Sequence, residues 1–301
     1  MSKTNEPWTI GSILKWTGQY FAEKGVENPR LDAEVLLSHI LDRERIQLYV
    51  NFDQPLQPQE LTAFREAVKK RVARMPVAYI TGHKEFMGLD FRVAPAVLIP
   101  RPDTEILVEA VLQKLQGVSP VQVLDLGTGS GAIIVSLVAN LPAAQGIAVD
   151  ISEEALAIAR SNAEKHQVES RLTFYRGDLY QPVTGHTFDA IVSNPPYIPD
   201  MDIRELTPEV RQEPRLALAG GPDGLDFYRR IVHEADAYLK PGGFVAVEVG
   251  IHQAQAVAAL AQDKPGLTFD SMIKDYGGIE RVVIFTKSQE VHRADSILSC
   301  E

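Results

Sequence analysis

Cysteine is almost missing from this 301-residue chain. Cys300 is the only one, and a single thiol closes no internal disulfide. A reducing, cytoplasmic setting is therefore expected. Long apolar runs are missing as well. No stretch approaches the ~18 residues that a membrane span needs. The opening Met1-Ser2-Lys3-Thr4-Asn5-Glu6-Pro7-Trp8 has no apolar signal core. The seven histidines (39, 83, 166, 186, 233, 252 and 292) are scattered. They offer neither a clustered set of metal ligands nor an evident proton shuttle, and no metal is expected.

Positive charge is short where a nucleic-acid binder would need it. Net charge is −10 and the sequence pI is near 5.3. Residues 1–75 carry 11 Lys/Arg against 10 Asp/Glu, so nearly all the excess acid lies in residues 76–301. Nucleic-acid affinity rests on basic contacts, so no direct nucleic-acid partner is expected. The dense basic cluster Lys69-Lys70-Arg71 with Arg74 reads as a solvated helix face.

What is present is a change of pattern along the chain. Residues 9–75 show apolar residues at helical spacing, among them Ile10, Ile13, Leu14 and Phe21, then Leu31, Val35 and Leu36 after Asn28-Pro29. Leu61, Phe64, Val68 and Val72 mark a longer helix that opens after Pro58 and stops before Pro76. This predicts a small helical bundle over 1–76, with a role in recognising a partner. Residues 77–100 are expected to be a linker carrying a β-hairpin, with Gly88-Leu89-Asp90 as a three-residue loop. Asp103 is the expected cap of a helix running to about Leu115.

From residue 121, strands and helices alternate. Strands are expected at 121–126, 146–151, 171–176, 188–193 and 244–249, with two more flanking Gly277-Gly278. Lys240-Pro241-Gly242-Gly243 reads as a turn, and 253–262 as an Ala-rich helix. The alternation predicts an α/β fold with a mostly parallel, doubly wound sheet and an antiparallel edge. Residues 101–287 form this domain, and 288–301 read as a loose tail.

Two stretches carry chemistry. The first is Ser193-Asn194-Pro195-Pro196-Tyr197, after the apolar run Phe188–Val192. Two prolines end the strand abruptly and fix the backbone. Asn194 is thereby presented at a strand's C-terminal end, where open α/β sheets bind ligands. Its side-chain oxygen and the Pro195 carbonyl suit the N–H groups of a planar amide or amine. A rigid loop with an Asn cap is the bland alternative. The second stretch is Gly127-Thr128-Gly129-Ser130-Gly131, whose glycines let a ligand approach the N-terminus of a helix. Asp150 ends the next strand and suits ribose hydroxyls. Asp178 ends the third and suits the amino group of an adenine.

Gly127-x-Gly129-x-x-Ala132 with a following acid also fits a dinucleotide fingerprint. Alone it leaves a nicotinamide dehydrogenase and a methyl-transferring enzyme about equally open. Asp125 with a third glycine, and Asn194-Pro195-Pro196-Tyr197 on the same sheet edge, favour methyl transfer.

Residues 121–200 resemble S-adenosylmethionine-dependent methyltransferases that modify planar amide or exocyclic nitrogens. Further segments are similar to the peptide chain release factor glutamine methyltransferase family: Arg30–Glu34, Met75–Gly82, Glu85–Leu89, Ile99–Glu105 and Gly224–Tyr228. This resemblance covers roughly residues 8–287. It implies a Rossmann-like class I methyltransferase sheet with a small N-terminal helical bundle and a hairpin linker. It implies methylation of the glutamine side-chain nitrogen in the Gly-Gly-Gln loop of class I release factors, with S-adenosylmethionine as cofactor. The cofactor would lie on Gly127, Thr128, Gly129, Ser130 and Gly131, with Asp150 on its ribose, Asp178 and the Leu179 backbone bordering the adenine, and Asn194 also in contact with it. The target amide would sit against Asn194, Pro195, Pro196 and Tyr197. Arg101 is left between a cofactor contact and a pairing with acids. Alternatives are a ribosomal-protein glutamine methyltransferase, a nucleic-acid adenine methyltransferase and a non-catalytic adenosine-binding partner of a translation factor. A monomer is the default.

Overall fold

The computed structural model describes residues 7–288 apart from positions 263 and 265. Beyond Ser288, the expected tail lies outside the described residues. Among the described residues, no helix is long and apolar enough to cross a membrane.

The N-terminal part is helical: α1 (Ile10–Glu23), α2 (Pro29–Leu41), α3 (Arg45–Val50) and α4 (Pro58–Val72). The start signals are explicit. At α1, Thr9 Oγ1 accepts from Ser12 N–H, and Ser12 Oγ accepts from Thr9 N–H at 2.9 Å. This reciprocal box satisfies two amide donors that a helix start leaves unpaired. Pro29 and Pro58 stand in the first turns of their helices, where a missing N–H costs nothing. Ile10, Phe21, Leu36, Leu37, Leu48 and Phe64 bury together as the core of this part.

The linker holds one unexpected element, the short helix α5 (Val77–Thr81), before β1 (His83–Phe86) and β2 (Leu89–Arg92). The hairpin is tighter than the sequence suggests. Phe86 pairs with Leu89, so the loop is Met87-Gly88, and Leu89 and Asp90 belong to the strand. Both loop residues have positive φ, 52° and 72°. That is the backbone of a type I′ turn, whose hand matches strand twist. Methionine is an unusual occupant there; its N–H donates to Glu105 Oε1 at 2.7 Å.

The rest alternates: α6 (Pro102–Lys114), β3 (Val121–Leu126), α7 (Ala132–Asn140), β4 (Ala144–Asp150), α8 (Glu153–Lys165), β5 (Leu172–Arg176) and β6 (Phe188–Ser193). Then follow α9 (Asp226–Tyr238), β7 (Leu239–Glu248), α10 (Ala254–Ala259), β8 (Leu267–Lys274) and β9 (Glu280–Lys287). One seven-stranded sheet results, ordered β5-β4-β3-β6-β7-β9-β8. Its first five strands are parallel, and β9 and β8 close it as an antiparallel edge. Both faces are covered, which is why the central strands are continuous apolar runs. Leu107, Val111, Ile134 and Val138 pack on one face with Val123, Ala148, Val192 and Ala246. Tyr228, Ile231, Ala235 and Val257 pack on the other with Leu124, Val149, Ile191 and Val245. Each such large side chain contributes about 1.5–3 kcal/mol on burial.

Three local expectations are corrected. Asp103 does not cap α6: the helix opens at Pro102, with Arg101 in the cap position and no side-chain cap bond. Asp103 lies in the first turn, where a carboxylate favours the positive helix end, and pairs with Arg281 at 2.9 Å. Lys240–Gly243 is not a separate turn but the irregular start of β7, opposite a register shift between Phe188 and Ala190. The Ala-rich helix is short, six residues rather than ten.

Long-range polar contacts tie the parts together. On α8, fully buried Asn162 accepts from Arg92 N–H (2.7 Å) and donates to Arg92 O (3.0 Å) and Ser130 O (2.8 Å). It fastens the hairpin to the glycine loop. Arg71 on α4 pairs with Asp32 (2.7 Å) and with Glu209 (2.8 Å), which lies in the irregular segment after β6. In the same segment, buried Glu213 accepts from Ile99 N–H at 3.0 Å and from Arg101.

Candidate active site

The sheet order reverses at β3, which has β4 on one side and β6 on the other. A crevice opens where connections leave such neighbours in opposite directions. The two stretches singled out in the sequence leave β3 and β6 at this point. Ser193 Oγ donates to Leu126 O at 2.6 Å, so the two strand ends are bonded directly.

The glycine loop is stitched to the end of β4. Gly127 and Thr128 N–H both donate to Val149 O, at 2.8 and 3.0 Å. Asp150 accepts from Gly129 N–H (2.8 Å) and Ser152 N–H (2.9 Å). Its carboxylate is thus held in place beside the loop, with lone pairs left over. Burial raises its pKa, and the Ser152 and Gly129 amides oppose that rise. Thr128 turns inward and donates to Asp125 Oδ2 at 2.7 Å. Ser130 is buried. Thr128 and Ser130 therefore offer a ligand mainly their backbone. Gly127 and Gly129 have open space where a Cβ would stand, whereas at Gly131 it would lie 3.1 Å from Ala159 Cβ, at a φ of +79°. That third glycine serves the close packing of α7 on α8.

Asp178 lies beyond β5, and its Oδ2 pairs with Arg230 at 2.7 Å. Leu179 has a positive φ of 49° and a buried side chain packed in the α9 layer, which leaves its backbone as the part available to a ligand. Arg101 pairs with Glu213, so of its two readings the pairing with an acid is realised.

At the second stretch, Asn194 Nδ2 donates to Thr104 Oγ1 at 3.1 Å. This turns the donor end of the carboxamide into the protein. Pro195 is buried, and Pro196 and Tyr197 are half-buried. The backbone after them is pinned from behind: Gln253 Nε2 donates to Tyr197 O at 2.9 Å, and Ile198 N–H to Leu218 O at 2.9 Å. Gly224 makes this possible. A Cβ there would lie 2.3 Å from Tyr197 O. The Tyr197 phenol is pushed up to about 12 by burial and by Glu248, so it stays protonated.

Residues absent from the sequence reading complete the site. Thr104 and Glu248 are buried behind Asn194, and Arg281 is nearby. Only Glu248 left a mark: it is the one charged residue in the run Phe244–Val249.

Asp125 is fully buried, with Oδ1 unpartnered. Burial pushes its pKa from 3.8 up to about 7, opposed by Thr128 and helped by the charge of Asp150. An acid whose folded pKa is raised binds more protons folded than unfolded between those values. Stability is therefore lost as pH rises through about 4 to 7. Asp125→Asn is expected to be more stable relative to wild type at pH 8 than at pH 4.5, by urea unfolding. An equal difference at both pH values would refute this.

The family model of the PrmC N-terminal domain matches residues 12–82, and that of the methyltransferase small domain matches residues 102–212. A release factor glutamine methyltransferase of Geobacter sulfurreducens is 51% identical over 284 residues, covering 94% of this chain and 98% of its own length. One from Moorella thermoacetica is 46% identical, covering 94% and 100%. The chain belongs to the release factor glutamine methyltransferase family.

The fold agrees with more distant structures. A methyltransferase from Pyrococcus furiosus superposes with a TM-score of 0.50 at 20% identity, covering 77% of this chain and all of the other. The human Mettl16 catalytic domain gives 0.53 at 16% identity, covering 77% and 82%. These establish the fold: a class I methyltransferase sheet of the kind expected from the sequence. The chain is a methyltransferase.

Proposed function

We infer that this enzyme transfers a methyl group from S-adenosylmethionine to the side-chain nitrogen of the glutamine in the Gly-Gly-Gln loop of a class I peptide chain release factor. The observation that carries this reading is the Ser193–Leu126 bond, which sets Asn194 next to the end of the strand that leads into the glycine loop, together with the bond that turns the Asn194 nitrogen to Thr104.

The residues fit the cofactor. Gly127 and Gly129 leave room for close approach, Asp150 is a fixed acceptor for the ribose hydroxyls, and Asp178 with the Leu179 backbone borders the adenine. When bound, S-adenosylmethionine supplies a strongly activated methyl group. The protein supplies position. Asn194 Oδ1 and the Pro195 carbonyl accept the two amide hydrogens, which aims the nitrogen and favours positive charge developing on it; as the carbon–nitrogen bond forms and the carbon–sulfur bond breaks, that charge is discharged by loss of one amide proton to solvent after transfer. Pro196 and Tyr197 wall the target off from water. Such alignment contributes about 7 kcal/mol or more in favourable cases.

The helical part and hairpin are our proposed holding surface for the rest of the release factor. Trp8 and Trp16 are 43% and 48% exposed with ring centroids 6.2 Å apart, and Tyr49 and Phe52 of the same part are also exposed. Exposed aromatic groups of this kind suit a protein partner.

The test is methyl transfer from labelled S-adenosylmethionine to a purified class I release factor and to its loop variant with glutamine changed to alanine. Label on the first and none on the second is expected. Label on neither, with cofactor binding confirmed, would overturn the substrate and direct the search to ribosomal protein.

A further inference from the structure

We propose that Glu248 is a positioning residue of the amide pocket: with Thr104, it fixes which end of the Asn194 carboxamide faces the substrate. This rests on the reading of Asn194 as the clamp of the target amide.

A carboxamide has two ends of nearly equal size and opposite hydrogen-bonding character. Facing the crevice with oxygen, Asn194 holds an amide. Facing it with nitrogen, it opposes donor with donor and repels the same group. Nothing within Asn194 chooses between these, so its surroundings must. Thr104 alone is no selector, because a hydroxyl both donates and accepts. The group behind it decides. Glu248 ends β7 next to the strand that carries Asn194, with Ser193 in register with Val247. It is 1% exposed, and its Oε2 has no partner. The neighbouring Thr104 and Asn194 side chains both hold its pKa down against the effect of burial. An ionised carboxylate only accepts. It draws the Thr104 proton to itself, which leaves the Thr104 oxygen as an acceptor. The donor end of Asn194 then turns inward, at 3.1 Å from Thr104 Oγ1.

The same logic makes the pocket sensitive to the proton on Glu248. Thr104 and Asp103 face it from α6, Asn194 and Tyr197 from the segment after β6, Tyr228 from α9 and Arg281 from β9. Burial, then the hydrogen bonds and nearby charges, set its pKa at about 7, above the ordinary 4.5. A protonated Glu248 has a hydrogen to donate and no longer selects one face of Asn194.

The experiment compares Glu248→Gln, Thr104→Val and Thr104→Ser with wild type on the release factor. The Gln variant keeps the shape but has a donor end as well as an acceptor end, so unlike a carboxylate it does not force the Thr104 proton one way. For Glu248→Gln and Thr104→Val, kcat is expected to fall about tenfold, with the KM for the factor and the Kd for S-adenosylmethionine within about twofold of wild type. Thr104→Ser keeps the hydroxyl and is expected to stay near wild type. Wild-type kcat should fall as pH drops through about 7, and this limb should vanish in Glu248→Gln. Independently of turnover, the Asn194 side-chain amide signals in 1H–15N spectra should titrate in wild type and not in Glu248→Gln. Wild-type kcat and pH profile in Glu248→Gln would overturn the proposal. So would a loss shared equally by kcat, cofactor binding and melting temperature. Failure of the wild type to label the factor would instead count against the substrate, while the amide titration would still decide the role of Glu248.

Discussion

Replacing Asn194 by Ala is expected to lower turnover by about 10²- to 10³-fold, the range seen when one preorganised partner of a developing charge is removed. Binding of S-adenosylmethionine should change little. The reason is the division of labour in the crevice. The glycine loop and Asp150 are held by bonds among themselves and to Val149, none of which involves Asn194. The variant keeps the Pro195 carbonyl, so the target amide is held at one point and free to turn about it. Thr104 loses the donor it faces, a further local cost. Single-turnover transfer with titration calorimetry for the cofactor separates the two effects. Turnover within about threefold of wild type would remove Asn194 from the mechanism.

Arg71→Ala is expected to cost about 3–5 kcal/mol of stability, as removal of one partner from a buried ion pair does. The Arg71 side chain is 6% exposed and lies between Asp32, 12% exposed, and Glu209. Burial works against the Arg71 charge, but the hydrogen bonds of Asp32 and Glu209 outweigh it and hold its pKa above the usual value. Without the guanidinium, Asp32 faces no cation in its recess. Arg74 also reaches Glu209, at 3.3 Å, but it is about a third exposed. Arg74→Ala loses a part-exposed pair of under about 1 kcal/mol and the Arg74 bonds to Lys24 O and Gly25 O, both 2.8 Å, and should still cost less than Arg71→Ala. Urea unfolding of both variants checks the contrast, and equal losses would refute the assignment of Arg71 as the buried bridge.

The sheet and both chemical stretches were legible because their determinants are local. Apolar runs, glycines and paired prolines act on their neighbours, and the ends of β3 and β6 follow from the alternation. What escaped was set across the chain. Residues 198–225 show no periodicity. Their path depends on Glu209 meeting Arg71, on Glu213 meeting Ile99 and Arg101, and on Gly224 passing under Tyr197. The hairpin turn departs from the loop expected at Gly88-Leu89-Asp90 because Gly88 is its second residue and not its first: Met87 takes a left-handed backbone that its type rarely adopts. Thr104 was hidden by distance: its partner Asn194 is 90 positions away.

The path of residues 198–225 also bears on how far the chain is modular. This excursion starts just after Tyr197, reaches the helical part through Glu209, returns past the linker at Glu213 and ends under Tyr197. It belongs to neither half alone. Grafting the helical part onto another methyltransferase core would strip Arg71 of one of its two anions unless the excursion travelled with it. Cutting the core free would leave Glu209 without its two arginines. Recombination between relatives should therefore succeed at junctions that keep helices, linker and excursion from one parent, and fail at a junction near residue 100 that divides them.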